Sequence, residues 1–133
     1  MPISQQPKPY LWWTGAAIAV LFAGTVHTSP GQAQVSAKGK ETFEKRCAGC
    51  HATDRDKEGP RLGGVYGRTA ASIATFQYSP ALQKSKIKWT DEMLEKWLTD
   101  PEKLVPDNDI AFHVESADER RAIIGYLKQL AAK

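Results

Sequence analysis

Cys47, Cys50 and His51 are the residues of this 133-residue chain whose types and spacing can do chemistry together, in the run Cys47-Ala48-Gly49-Cys50-His51. Positions i, i+3 and i+4 lie on one side of a helix, so two sulfurs and one imidazole face the same way. Two cysteines at that spacing with a histidine directly after them form the pattern through which haem vinyl groups are joined to protein as thioethers. The imidazole is then delivered to the iron from beneath the ring, as an axial ligand. The sequence therefore predicts one covalent haem c, held by Cys47 and Cys50, with His51 on the iron.

Other uses of these residues fit less well. They include the only cysteines of the chain, and a disulfide between them would close almost no loop and so stabilise little. A zinc site needs further Cys or His ligands at workable spacing, and after residue 33 only His113 remains outside the motif. A thioredoxin-like redox pair follows a strand in a βαβ setting, whereas the segment before Cys47 reads as a helix.

That segment, Ala37 to Cys47, lacks proline and has Phe43 as its buried anchor; ahead of it, Gln34 to Ser36 reads as a mobile stretch. Ala52 to Ser72 is rich in Gly, Arg and Asp, contains Pro60, and reads as loop. Thr90 is placed to cap a helix over 91–99, with Asp91 and Glu92 at the positive end of its dipole and Pro101 as its stop. Leu94, Trp97 and Leu98 give that helix one apolar face. Ser116-Ala117-Asp118-Glu119 is a capping-box pattern, in which Ser116 and Glu119 each satisfy a backbone donor at the start of a last helix. Ile123, Tyr126, Leu127 and Leu130 then form a stripe best read as core packing. With no strand-like alternation and no repeat, the class is all-α.

A net charge of +3 with 25% charged residues of mixed sign is too mild for a nucleic-acid partner. Residues 34–133 make one small domain whose core is marginal on area alone, so that a cofactor buried in it would help. Residues 1–33 read as an export signal: Lys8, an apolar run from Leu11 to Val26, and small residues at Gly31 and Ala33 for a peptidase site after Ala33. The alternative is an uncleaved N-terminal membrane anchor. The expected location is outside the cytoplasm, in a bacterial periplasm, with membrane attachment only if this segment is retained.

Over residues 37 to 130 the chain resembles the class I cytochromes c. The matching features are Gly39 and Phe43, then Gly59-Pro60-Arg61-Leu62, Gly67-Arg68, and Phe76-Gln77-Tyr78-Ser79. Trp89, Trp97-Leu98, Pro101, Pro106 and the closing Ile124-Gly125-Tyr126-Leu127-Lys128 complete the series. The resemblance implies the class I fold: a few helices and long loops wrapped around one covalently bound haem. It implies that the Pro60 carbonyl accepts a hydrogen bond from the outer ring nitrogen of His51, raising ligand basicity. Arg68, Tyr78 and Trp89 would reach the haem propionates, Trp97 and Leu98 would contact the ring, and Phe112 would pack over the haem edge. Gly39, with Gly125 and Tyr126, matches the place where the terminal helices of the family cross.

One feature of the family is missing. In the frame Pro106-Asp107-Asn108-Asp109-Ile110-Ala111-Phe112, the place of the second iron ligand, a methionine, holds Ile110. Met1 lies in the export segment and Met93 lies in the helix opened by Thr90, far from the loop. Three states of the sixth position stay open: ligation by His113, an open or water-occupied iron under an apolar lid of Ile110, or ligation by a lysine such as Lys103. The choice matters because the axial ligand is a principal lever on haem potential.

The resemblance implies an electron-transfer protein that is not itself an enzyme, either a carrier or the haem subunit of a larger redox enzyme, with unidentified redox proteins as donor and acceptor. Lys84, Lys86 and Lys88 are a candidate docking patch. The alternative function is a haem protein with an open sixth site that binds NO, CO or peroxide as sensor, scavenger or weak peroxidase.

Overall fold

The computed structural model describes residues 30–132. Among them are five helices: α1 (Pro30–Arg46), α2 (Pro80–Ser85), α3 (Asp91–Thr99), α4 (Pro101–Leu104) and α5 (Ala117–Ala131). The described residues contain no strand longer than an isolated bridge between Thr69 and Lys88, so the chain is all-α as read. None of these helices is long and apolar enough to cross a membrane. The apolar run from Leu11 to Val26, read as part of an export signal, lies outside the described residues.

α1 begins earlier than the sequence suggested, and Gln34 to Ser36, read as mobile, lie within it. Pro30 stands at its first position, where a fixed φ suits a helix and the missing N–H is not needed. Alanine, glutamine and lysine then carry the helix forward at little cost. The expected peptidase site after Ala33 falls inside this helix.

α3 starts at its expected cap: the Thr90 hydroxyl accepts from Met93 N. Pro101 does end α3, but it is also the first residue of α4, whose cap is Asp100 accepting from Lys103 N at 3.0 Å. α2 was missed altogether. Its cue is Ser79-Pro80, a cap followed by proline at the first position, but six residues are too few to show an apolar period. The expected capping box forms only by half. Ser116 Oγ accepts from Glu119 N at 3.4 Å, while the Glu119 carboxylate pairs with Arg46 of α1, 2.8 Å from Nη2. A charge-assisted, forked pair with arginine is stronger than a bond back to a neutral amide.

The core is built where α1 crosses α5. Phe43, Ile123, Ile124 and Leu127 are buried there with Trp89, Leu94 and Val114, and Phe43 meets the Tyr126 ring at 5.3 Å between centroids. Each such buried aliphatic side chain contributes roughly 1.5–3 kcal/mol. Arg120 ties α5 to the rest: Nε binds Glu95 of α3 at 2.6 Å, and Nη1 donates to the carbonyls of Val114 and Glu115. On the far side of α5, Lys128 and the Tyr66 hydroxyl both bind Asp91, and the hydroxyl bond, with the lysine next, holds that carboxyl below the usual range.

Gly39 makes the crossing possible. A Cβ there would lie 2.6 Å from the Ala122 carbonyl oxygen and 3.0 Å from Tyr126 Cβ. Gly125, grouped with it from the sequence, takes no part, since a Cβ at that position meets nothing within 4 Å. Gly39→Ala should therefore lower stability by about 1–3 kcal/mol despite the better helix propensity of alanine. Gly125→Ala should be neutral or raise stability by up to about 1 kcal/mol. Thermal melts of both variants check this, and equal shifts would refute the assignment.

Candidate haem site

The motif continues α1 as a further turn. Cys47 N donates to Phe43 O at 2.8 Å and His51 N to Cys47 O at 2.9 Å, so the helical path carries Cys47, Cys50 and His51 onto one side. The two cysteines differ in surroundings. Cys47 belongs to the core cluster at 8% exposure, and burial pushes its thiol up to about 11, whereas Cys50 is exposed.

The loop read over Ala52 to Ser72 is irregular, and it folds back to support the histidine. Gly59 N donates to Cys50 O, Leu62 N to Ala52 O and Gly63 N to Thr53 O, which lays 59–63 alongside 50–53. Lys57 Nζ closes the exposed end of the turn on the carbonyls of Ala48 and Gly49. Asp56 holds the return strand of the loop by accepting from Arg61 N at 2.9 Å and from the Thr75 hydroxyl at 2.9 Å. Its carboxyl is lowered by those bonds, the Arg61 amide first.

Pro60 is thereby set beside the imidazole, with His51 Nδ1 2.7 Å from its carbonyl oxygen. A carbonyl can only accept, so Nδ1 carries the proton and Nε2 presents its lone pair. Gly59 lies against the ring itself: a Cβ there would collide with Cε1, Nδ1 and Nε2 of His51. The sequence reading placed Gly59 in a family pattern without giving it a role. The signal was available in Gly59-Pro60, a residue with no side chain next to one with no N–H.

Arg68, Tyr78 and Trp89 come together at another corner. Trp89 N donates to Arg68 O at 2.9 Å and Gly67 N to Trp89 O at 2.8 Å, so the backbone pairs the two segments around the Thr69–Lys88 bridge. Arg68 donates through Nη1 to Gly63 O and through Nη2 to Arg61 O, which fixes its guanidinium over the loop that supports His51. Burial raises the Tyr78 hydroxyl, and the nearby Arg68 charge opposes that shift. Trp89 is buried and packs edge-on against Trp97 at 5.3 Å. Trp97 and Leu98 are half-buried against the same core.

The segment 106–113 is held at both ends. Val105 is buried and donates to Pro101 O, and Val114, at 2% exposure, donates to Leu98 O at 2.7 Å. Between them Asn108 organises the turn: its Nδ2 donates to Val105 O and to Glu102, and its Oδ1 accepts from Ile110 N at 2.7 Å. Neither Asn108, quoted only as part of the frame around Ile110, nor Glu102 was given a role from the sequence. Ile110 and Phe112 are exposed, at 37% and 44%. His113 is exposed too, with Nε2 3.8 Å from a Glu115 carboxylate oxygen, and it shares a cleft of about 330 Å³ with Thr99, Asp100, Ile110 and Ala111. Lys103 is exposed on α4.

Two thiols and an imidazole on one turn, with Nδ1 already engaged and Nε2 left to ligate, are the donor set a covalent haem requires. The residues present fit the group. When bound, it supplies one-electron chemistry at iron, and the protein supplies attachment, orientation and tuning.

Comparison with known proteins agrees with this assignment. The family model described as "Cytochrome c" matches residues 36–131, and the chain belongs to the cytochrome c family. It is 36% identical over 100 residues to cytochrome c of Chlamydomonas reinhardtii, covering 72% of this chain and 89% of the relative. It is 34% identical over 116 residues to cytochrome c2 of Blastochloris viridis, covering 84% and 91%. Among solved structures, cytochrome cH from Methylobacterium extorquens superposes with a TM-score of 0.67 at 34% identity, covering 71% of this chain and 97% of that one. The chain is a haem electron-transfer protein with a class I cytochrome c fold, carrying one haem c through Cys47 and Cys50.

Proposed function

We propose that this chain is a periplasmic electron carrier, exported by residues 1–33 and not itself an enzyme, whose iron has Ile110 where its relatives of this class present a methionine. Arg68, Tyr78 and Trp89 hold the carboxylates of the haem, and Trp97, Leu98 and Phe112 bound its apolar faces. His51 is the axial ligand, kept in one tautomer by Pro60. The observation that supports an iron without a second protein ligand is the loop 106–113: Asn108 fixes the Ile110 backbone, while His113 is turned outward beside Glu115. The aliphatic Ile110 also supports a second reading, in which the open iron takes NO, CO or peroxide.

An electron paramagnetic resonance spectrum of the ferric protein tests the ligand set. A high-spin signal, unchanged in His113→Ala, is expected. A bis-histidine low-spin signal that turns high-spin in His113→Ala would make His113 the sixth ligand. Rapid CO binding to the ferrous protein, together with failure to exchange electrons with small redox reagents, would favour the ligand-binding reading over the carrier.

A further inference from the structure

α1 runs on into the turn that carries both cysteines and His51, and the end of a helix leaves carbonyl oxygens that no later turn can satisfy. From Cys47 to Cys50 each of these oxygens finds a donor. Cys47 O accepts from Cys50 N and His51 N, and Cys50 O accepts from Gly59 N. The two between them, Ala48 O and Gly49 O, both accept from Lys57 Nζ, at 2.7 and 2.9 Å. Lys57 is brought there by a tight turn of its own, in which its N donates to Gly59 O at 2.9 Å while Gly59 N holds Cys50 O. Its ammonium therefore ties the loop beside the imidazole to the open end of the motif. The partners of Lys57 Nζ are backbone oxygens, whereas haem attachment uses the two sulfurs and the imidazole, so one does not displace the other.

The end of a helix is also the negative end of its dipole. That end stands at His51, and negative potential there favours ferric iron, since ferrous iron carries one positive charge fewer. A cation held at the same end acts in the opposite sense, as a lysine at a helix terminus does toward the carbonyls it meets. Neighbouring charges of the loop do not replace it. Arg55 lies 3.4 Å from Asp54 and Arg61 lies 3.3 Å from Asp56, each paired, and Glu58, beside Cys50, is of the opposite sign.

We infer that Lys57 is a positioning residue of the haem turn: it fastens the open end of the turn through Ala48 and Gly49 and places there one positive charge that favours the ferrous state. The inference rests on the proposed axial role of His51, because Lys57 acts on the iron through the turn that carries that ligand.

The test compares the purified holoprotein with Lys57→Met, which loses the charge and both bonds, and Lys57→Arg, which keeps a charged donor. An electrode supplies one electron to ferric iron, and the visible spectrum gives the ratio of ferrous to ferric protein at one fixed potential. At low ionic strength Lys57→Met should lower that ratio by about twofold, and the difference should shrink at physiological salt because the lysine is exposed. The amides of His51 and Gly59 should exchange with solvent about threefold faster in Lys57→Met, at either salt concentration. Lys57→Arg should restore both quantities. Lys40→Met removes the same charge from an exposed place on α1, where Lys40 stands 3.7 Å from Glu44, and should leave the ratio unchanged.

An unshifted ratio in Lys57→Met would overturn the inference, even with faster exchange, since Lys57 would then be a structural cap without influence on the iron. An equal shift in Lys40→Met would also overturn it, because net charge and not its place would be at work. Failure of the proposed role of His51 would look different: His51→Ala would keep the wild-type haem spectrum, whatever Lys57 does.

Discussion

His51→Ala is expected to yield protein with no normal haem ligation: the ordinary low-energy ligation bands are lost and exogenous imidazole restores them in part. The substitution removes the one ring nitrogen that Pro60 and Gly59 prepare, while the carbonyl at 2.7 Å loses its donor. Removing a partner from such a prepared ligand costs the positioning as well as the bond. The cysteines should separate in a way the motif alone does not indicate. Cys50→Ala leaves an exposed position and costs a thioether. Cys47→Ala costs a thioether and also core contact beside Phe43, with a further loss of about 1 kcal/mol in stability. Yield of covalent haem and chemical denaturation of the purified variants measure the two effects. A wild-type spectrum from His51→Ala would falsify the site.

Ile110→Met should raise the reduction potential by on the order of 0.1 V, a fraction of the ~0.8 V range that axial ligation covers in haem proteins. The loop favours this outcome. Asn108 pins the Ile110 backbone at 2.7 Å, Val105 and Val114 bury the two ends, and Arg120 holds the Val114 carbonyl, so a new side chain enters a fixed frame. Thioether ligation should also slow CO binding, because CO must then displace a ligand. Potentiometric titration and flash photolysis report the two quantities. If both stay at their original values, methionine at this position does not reach the iron and Ile110 does not occupy the ligand's place.

The contrast between these two predictions follows from how each part of the site is encoded. Cys47, Cys50 and His51 were legible because their geometry is local: one helical turn fixes where three side chains point, whatever the rest of the chain does. The helix opened by Thr90 and the start of the last helix were legible for the same reason, since a cap acts on the next turn. The Pro60 role needed the family resemblance, because it stands nine positions after His51 across a loop through which no period runs.

The rest depends on what each segment meets in space. Glu119 looks like half of a capping box until Arg46 of α1, 73 residues earlier, offers a stronger partner. Gly39 and Gly125 look alike as helical glycines, but only the first lies under the Ala122 carbonyl. His113 and Ile110 sit in one short loop, and by sequence either could be the side chain that faces the sixth position, one as a ligand and the other as a lid. Their orientations follow from the burial of Val114 and the bonds of Asn108, which are set by α3, α4 and α5 together. The sequence by itself determined the covalent attachment, the proximal ligand and the helical class, all of which act over a turn or two. Tertiary structure alone decided which of the two glycines lies in the helix crossing, the place of Gly59 against the imidazole and the course of the loop 106–113, because each depends on backbone brought together from distant parts of the chain.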